Sequence, residues 1–374
     1  MALDPVAIIQ SMTEQTAKRA HYPALDGLRG LASLLVVIYH NFGFINNYFF
    51  FGWLGLDIFF ALSGFLITDI LLNTVGHKNF LRNFYGRRIL RVFPVYYLGL
   101  VIFLVVLPAI RSVPFKFDYY VAHQAWFWTY LQNWLFIVHP PTNESSLNHL
   151  WSLAVEEQFY LLWPLLVLLL RKPKYLLTFI LLILVLTIGL RWWIWTKHIE
   201  GFAYYNLYTF TRIDGICIGC SIAILQKINF RFLENHTSTL IFSFAILNFL
   251  FYLLNLRFND SLPYLAIIGY TTFAFIFGLL IYDIVNIGTK IYRFIFNIPL
   301  LKLIGRISYG CYIIHWPLYL MIGPYLKTFA GQYISDFFAN FLASAVATLL
   351  AYVLGYFSYQ YFEIKFLRLK DRFV

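Results

Sequence analysis

Ten stretches of this chain, at residues 28–46, 52–72, 92–110, 150–170, 175–196, 208–226, 239–256, 262–282, 303–323 and 337–357, are predominantly apolar. Each runs for about the 20 residues that a helix needs to cross a bilayer. Nothing else in the sequence narrows the fold so far, because in hydrocarbon the backbone polar groups have to be satisfied internally, and helices do this within one segment. The expected fold is all-α, a polytopic membrane helix bundle of about ten spans. Composition agrees: 61% of the 374 residues are hydrophobic and 12% are charged, against ~25% charged in a soluble domain. Two windows depart from the pattern, since 150–170 holds Glu156 and Glu157, and 208–226 holds Arg212 and Asp214. The aromatic stretch 126–138 is too short to cross and is followed by Pro140 and Pro141, so it reads as interfacial or re-entrant.

The net charge of +11, from 28 Lys and Arg against 17 Asp and Glu, has to be read by position. With the N-terminus in the cytoplasm, 20 of the 28 basic residues fall on cytoplasmic segments and Arg29 opens the first span. This bias is an orientation signal. It accounts for the basic excess through membrane lipids and topology, and removes the main reason to expect a nucleic-acid partner. Residues 1–20 carry Asp4, Glu14, Lys18 and Arg19 without a continuous apolar core, unlike a signal peptide. The expected organisation is a cytoplasmic segment 1–21, one transmembrane domain 22–360 and a cytoplasmic tail 361–374. The three cysteines cannot form a disulfide framework. Cys217 and Cys220 make a C-x-x-C inside an apolar window with no second pair, so small-residue packing is the better reading and no metal is expected.

A charge at membrane depth costs about 2.5–3.5 kcal/mol on insertion scales, so each is a functional candidate. At about 1.5 Å of rise per residue, His40 lies about 18 Å into the first span, and Glu156 and Glu157 lie about 10 Å below the opposite surface. Asp57 and Asp214 fall in the same half and His315 near the middle. Arg29, Arg88 and Arg91 gather on the cytoplasmic side. A histidine beside a carboxylate is a minimal general base, and clustered arginines suit phosphate. Two polar layers of this kind fit group transfer from a phosphorylated cytoplasmic donor to an acceptor on the other side.

Bland readings accompany these. His40 can be a core histidine bonded to a neighbouring helix, and the arginines can be ordinary positive-inside anchors. Glu156 and Glu157 point about 100° apart on a helix, so one of them is expected to face His40. Asp57 can buttress the second span, and Arg212 with Asp214 can form an internal ion pair. His315 precedes Trp316 and Pro317, where a proline frees backbone carbonyls that the imidazole can satisfy.

The stretch YPALDGLRGLASLLVVIYHN at 22–41 is followed by GWLGLDIFFALSGFLI at 52–67, RRILRVFPVYYL at 87–98 and HLWSLAVEEQFYLLWP at 149–164. RIDGICIG at 212–219 and SYGCYIIHWPL at 308–318 complete a series that resembles the membrane acyltransferase-3 family of cell-surface O-acyltransferases. The resemblance runs from about residue 22 to 360. It implies an O-acyltransferase in the bacterial cytoplasmic membrane with both termini inside, moving an acyl group, most often acetyl from acetyl-CoA, to a sugar hydroxyl. The acceptor would be a cell-envelope glycan or glycolipid, such as lipopolysaccharide or peptidoglycan. The family's basic residue, ten intervening residues and histidine fall on Arg29 and His40, and its Arg-x-x-Arg on Arg88 and Arg91. The resemblance thus makes His40 catalytic, as general base or as acyl carrier, and makes Arg29, Arg88 and Arg91 the donor site; the reading by depth adds a carboxylate from Glu156 or Glu157, with Glu156 slightly favoured. Asp57, Trp151, Arg212, Asp214 and His315 remain substrate-facing or structural candidates. The sequence ends within 20 residues of its last span, so a stand-alone membrane domain without the hydrolase-like extension of some members is expected. The rival reading is a transporter or flippase with an intramembrane proton relay, disfavoured because no inverted repeat is evident.

Overall fold

The computed structural model describes residues 22–45, 50–110, 117–141, 146–197, 199, 209–257 and 264–373. The expected segment 1–21, and residues 111–116 and 142–145 of the loop before residue 149, lie outside the described residues. Each apolar window has become helix. The principal helices are α1 (Pro23–Asn41), α2 (Leu54–Thr74), α3 (Phe80–Val101), α4 (Trp151–Leu170), α5 (Pro173–Thr196), α6 (Asp214–Lys227), α7 (Arg231–Arg257), α8 (Tyr270–Tyr282), α9 (Pro299–Ala330) and α10 (Asp336–Phe357). No strand occurs among the described residues, and the all-α expectation holds.

Among the described residues, seven helical segments are long and apolar enough to cross a membrane by length and composition, against the ten windows of the sequence. The windows on α1, α6 and α9 are the remainder. The first and last carry ionisable residues such as Arg29, His40, Arg306 and His315, and α6 is only 14 residues long. Of these, α6 is buried along most of its length, and α1 and α9 are buried where they cross. The backbones of α1 and α9 touch: a Cβ on Gly30 would run into the carbonyl of Leu301, and one on Gly305 into that of Asp26. The same close approach joins α2 to α6 through Gly64 and Gly219. Small residues let helices meet at backbone distance, which is how packing replaces the hydrophobic effect inside a bilayer. By contrast α4 is two-faced. It buries Val155, Phe159, Trp163 and Val167 at four-residue spacing and turns Leu161, Leu165 and Leu169 outward.

The stretch 126–138 is not one element. It is built from Gln124–Trp128 and Gln132–Val138, broken at Tyr130, whose φ of 55° lies in the left-handed region. Asn133, on the second of these helices, and Gln158 of α4 bond across this fold at 2.9 Å, which ties the aromatic hairpin to the helix that carries the two glutamates.

Candidate active site

α1 carries Arg29 near its start and His40 near its end. Eleven residues turn the helix almost exactly three times, so the two side chains share one face about 16 Å apart. The same face meets α9. There Nδ1 of His40 stands 3.0 Å from Nε2 of His315, and Nδ1 of His315 stands 2.7 Å from the carbonyl oxygen of Tyr312. The carbonyl that His315 satisfies is therefore three residues back on its own helix, next to the one that Pro317 frees. A third imidazole, His149 on the short turn Asn148–Leu150, closes the cluster with ring centres 6.4 Å from His40 and 5.2 Å from His315. His315 and His149 are buried, whereas His40 is half-buried. Neither ring nitrogen of His149 has a hydrogen-bond partner among the described residues. The hydroxyl of Tyr312 donates to the His149 carbonyl at 2.6 Å and lies 2.7 Å from the Ser152 hydroxyl.

The expected pairing of His40 with a carboxylate is corrected here. Both glutamates turn to Arg88: Oε1 of Glu157 lies 2.9 Å from its Nη2, and Oε2 of Glu156 lies 3.8 Å from it while accepting from the Tyr160 hydroxyl. The guanidinium also stacks 3.6 Å from the Tyr160 ring centre. A cation paired with two carboxylates and stacked on an aromatic face has its charge largely offset within the protein, although it still borders the smaller cavity. Arg29 and Arg91 differ. Among the described residues neither forms an ion pair or a hydrogen bond with a protein group, and their like charges repel. A pair of unneutralised guanidiniums is an anion site, since planar forks match phosphate oxygens.

Both arginines line two adjoining cavities. The outer one, of about 360 Å³, is bordered by Arg29, Arg91, Arg306, Lys370, Tyr22 and Glu363. The inner one, of about 90 Å³, continues past Arg88 and Glu156 to Ser152 and Tyr312. It thus ends on the two hydroxyls that hold the His149 backbone. The larger space borders the cations and the smaller one extends from them to the Ser152 and Tyr312 hydroxyls, a shape that suits a bulky anion with a slender end.

The other candidates form a separate buried cluster. The expected partnership of Arg212 with Asp214 is exchanged: Arg212 pairs with Asp57 at 2.8 Å, and Asp214 pairs with Arg191 at 2.7 Å. Thr271 sits between Arg191 and Asp214, and Arg212 lies 3.8 Å from the Tyr270 ring centre and 5.8 Å from that of Trp151. These ties join α2, α5, α6 and α8 and touch neither cavity. Sequence reasoning passed over Arg191, although it is the lone charge inside an apolar window, and over His149 and Tyr312, which carry no signal beyond their motifs. No group of histidine, cysteine or acidic side chains able to hold a metal occurs among the described residues.

Comparison with known proteins sharpens this. The chain is 31% identical over 329 residues to the peptidoglycan O-acetyltransferase OatA of Listeria monocytogenes, an alignment covering 83% of this chain and 51% of that protein. It is 30% identical over 331 residues to the O-acetyltransferase OatA of Staphylococcus aureus, with 82% and 52% covered. The chain therefore spans about half the length of these relatives. No solved structure matches it. Residues 22–358 match the acyltransferase domain model of the acyltransferase-3 family, a match that takes in the imidazole cluster and Arg29, Arg88 and Arg91, and the chain belongs to this family.

Proposed function

We propose that this chain is the membrane domain, over residues 22–360, of an O-acetyltransferase that takes an acetyl group from acetyl-CoA and delivers it to a hydroxyl of a cell-envelope glycan. The Listeria monocytogenes relative is a peptidoglycan O-acetyltransferase by name and the Staphylococcus aureus one an O-acetyltransferase, which favours peptidoglycan as acceptor over lipopolysaccharide. The proposed setting is the bacterial cytoplasmic membrane with both chain ends, 1–21 and 361–374, on the cytoplasmic side.

The observation that carries the reading is the adjacency of two chemistries: Arg29 and Arg91, without ion-pair partners among the described residues, line both adjoining cavities, and the smaller one reaches the Ser152–Tyr312 pair beside the imidazoles. The separation along α1 is about 16 Å, comparable to the extended arm that links the phosphates of a coenzyme A thioester to its sulfur. With phosphates at Arg29 and Arg91, the thioester reaches the level of His40. His40 then removes the proton of the acceptor hydroxyl. The new C–O ester bond forms as the C–S bond breaks, and the departing thiolate takes the proton from His40. Water is kept away by the small size of the inner cavity, so that hydrolysis of the thioester does not compete.

Membranes containing the chain, supplied with labelled acetyl-CoA and a glycan acceptor, are expected to release free coenzyme A and label the glycan. His40→Ala should abolish both while the protein stays folded in the membrane. Retained transfer in that variant would overturn the mechanism, and transport of the acceptor without release of coenzyme A would favour a carrier.

A further inference from the structure

The hydrogen bonds around His315 fix where the protons sit. The Tyr312 carbonyl oxygen can only accept, so the Nδ1 of His315, 2.7 Å away, has to carry a hydrogen. A neutral imidazole has one N–H and one lone pair, so Nε2 of His315 is an acceptor. The atom that it faces at 3.0 Å is Nδ1 of His40, which must then be the donor. The remaining nitrogen of His40, Nε2, is left with a bare lone pair. The chain of inference needs no charged group. The rings and hydroxyl facing His40 are Tyr39 on its own helix, His149 on the turn before α4, and His315 and Trp316 on α9.

From this geometry we infer that His315 is a positioning residue that holds His40 in the Nδ1–H tautomer, so that Nε2 of His40 is the basic nitrogen of acyl transfer. The pair does with two neutral rings and a backbone carbonyl what a carboxylate does for histidine in hydrolytic triads: it selects the tautomer and orients the ring. The difference is that His315 brings no negative charge to the developing imidazolium, and its Nε2 stabilises that cation as a lone-pair acceptor alone. In the step itself, Nε2 of His40 accepts the hydroxyl proton, the hydroxyl oxygen bonds to the acyl carbon, and the coenzyme A thiolate leaves and recovers that proton as a thiol. His315 keeps its own proton throughout. Burial of His315 serves this end, since water competing for its Nε2 would loosen the choice of tautomer.

The inference rests on His40 being the base, and its test separates the two. ¹⁵N-histidine spectra of the full chain in detergent, with the His40 signals assigned by their loss in His40→Asn, are expected to show a protonated Nδ1 and an unprotonated Nε2 in the resting protein. In His315→Leu the His40 signals should move toward the Nε2–H form that free histidine favours, and kcat should fall about ten- to hundredfold with the KM for acetyl-CoA unchanged. His315→Gln, whose side-chain oxygen can accept from His40, should recover part of kcat. A resting His40 that carries its proton on Nε2, or a kcat left intact in His315→Leu, would overturn the assignment. If His315→Leu does not fold, the spectrum of the unaltered protein still decides. Transfer retained by His40→Ala would instead sink the base reading, while the spectrum continues to report the hydrogen bond on its own.

Discussion

At the scale of single residues, the three arginines of the cavity divide into one that is ion-paired and two that are not, among the described residues, a division that gives opposite predictions for similar substitutions. Arg88 is engaged by Glu157, Glu156 and the Tyr160 ring. Removing it leaves two largely buried carboxylates without a counter-charge, a loss of about 3–5 kcal/mol for a fully buried pair and toward the lower end here. Arg88→Gln is therefore expected to lower the unfolding temperature and membrane yield, and the double change Arg88→Gln with Glu157→Gln to restore much of both. Arg91 has no such partner, so Arg91→Gln should leave thermal unfolding unchanged and raise the KM for acetyl-CoA about ten- to hundredfold, as the loss of one charged contact of about 1.5–3 kcal/mol requires. His149 yields a contrast of another kind. A buried imidazole with neither nitrogen bonded costs about 1–3 kcal/mol, a burden with no structural return. His149→Phe should hold or raise the unfolding temperature while reducing turnover; a fall in stability with normal turnover would make His149 a packing residue.

At the scale of helices, the site depends on the α1–α9 crossing, because that contact sets His40 against His315 and Arg29 beside Arg306. The crossing is made at backbone distance by Gly30 and Gly305. A methyl group there has nowhere to go but into a carbonyl oxygen, and overpacking of this kind costs about 1–3 kcal/mol. Gly30→Ala is expected to destabilise the protein in detergent and to weaken transfer together, whereas Gly189→Ala, at a position on α5 with open space around it, should be neutral or slightly stabilising. Much of this scale was legible in the sequence. Helix positions follow from runs of apolar residues, and each of the windows is helical. Partner choice was not legible: Glu157 takes Arg88 rather than His40, and Arg212 takes Asp57 rather than Asp214. Which charge meets which is decided by how helices far apart in sequence rotate and cross, and a spacing within one helix is silent about that. Where both members lie on one helix, as with Arg29 and His40, the sequence does fix their relation, because eleven residues return to the same face.

At the scale of the whole molecule, the charged residues sort into three clusters with different duties. One is the Arg191–Asp214 and Arg212–Asp57 lattice that ties four helices together away from either cavity. The others are the arginines, which line adjoining cavities of about 360 Å³ and about 90 Å³, and the imidazoles, whose His149 backbone is held by the Tyr312 hydroxyl at the wall of the smaller cavity. Cations at one end of this space require the donor to come from one face of the membrane only. The chain offers a direct way to read that face, since Cys217, Cys220 and Cys311 are all buried and a single exposed cysteine can be labelled selectively. Arg368→Cys marks the face of the wide cavity, near Lys370, and Val138→Cys marks the end of the aromatic hairpin. In proteoliposomes, an impermeant thiol reagent measures what fraction of molecules presents each face outward. Coenzyme A release from externally added acetyl-CoA is expected to scale with the fraction presenting residue 368, and to persist when residue 138 is modified from the other side. Release that follows the fraction presenting residue 138 would mean that the donor enters past the aromatic hairpin, and that Arg29 and Arg91 hold some other anion.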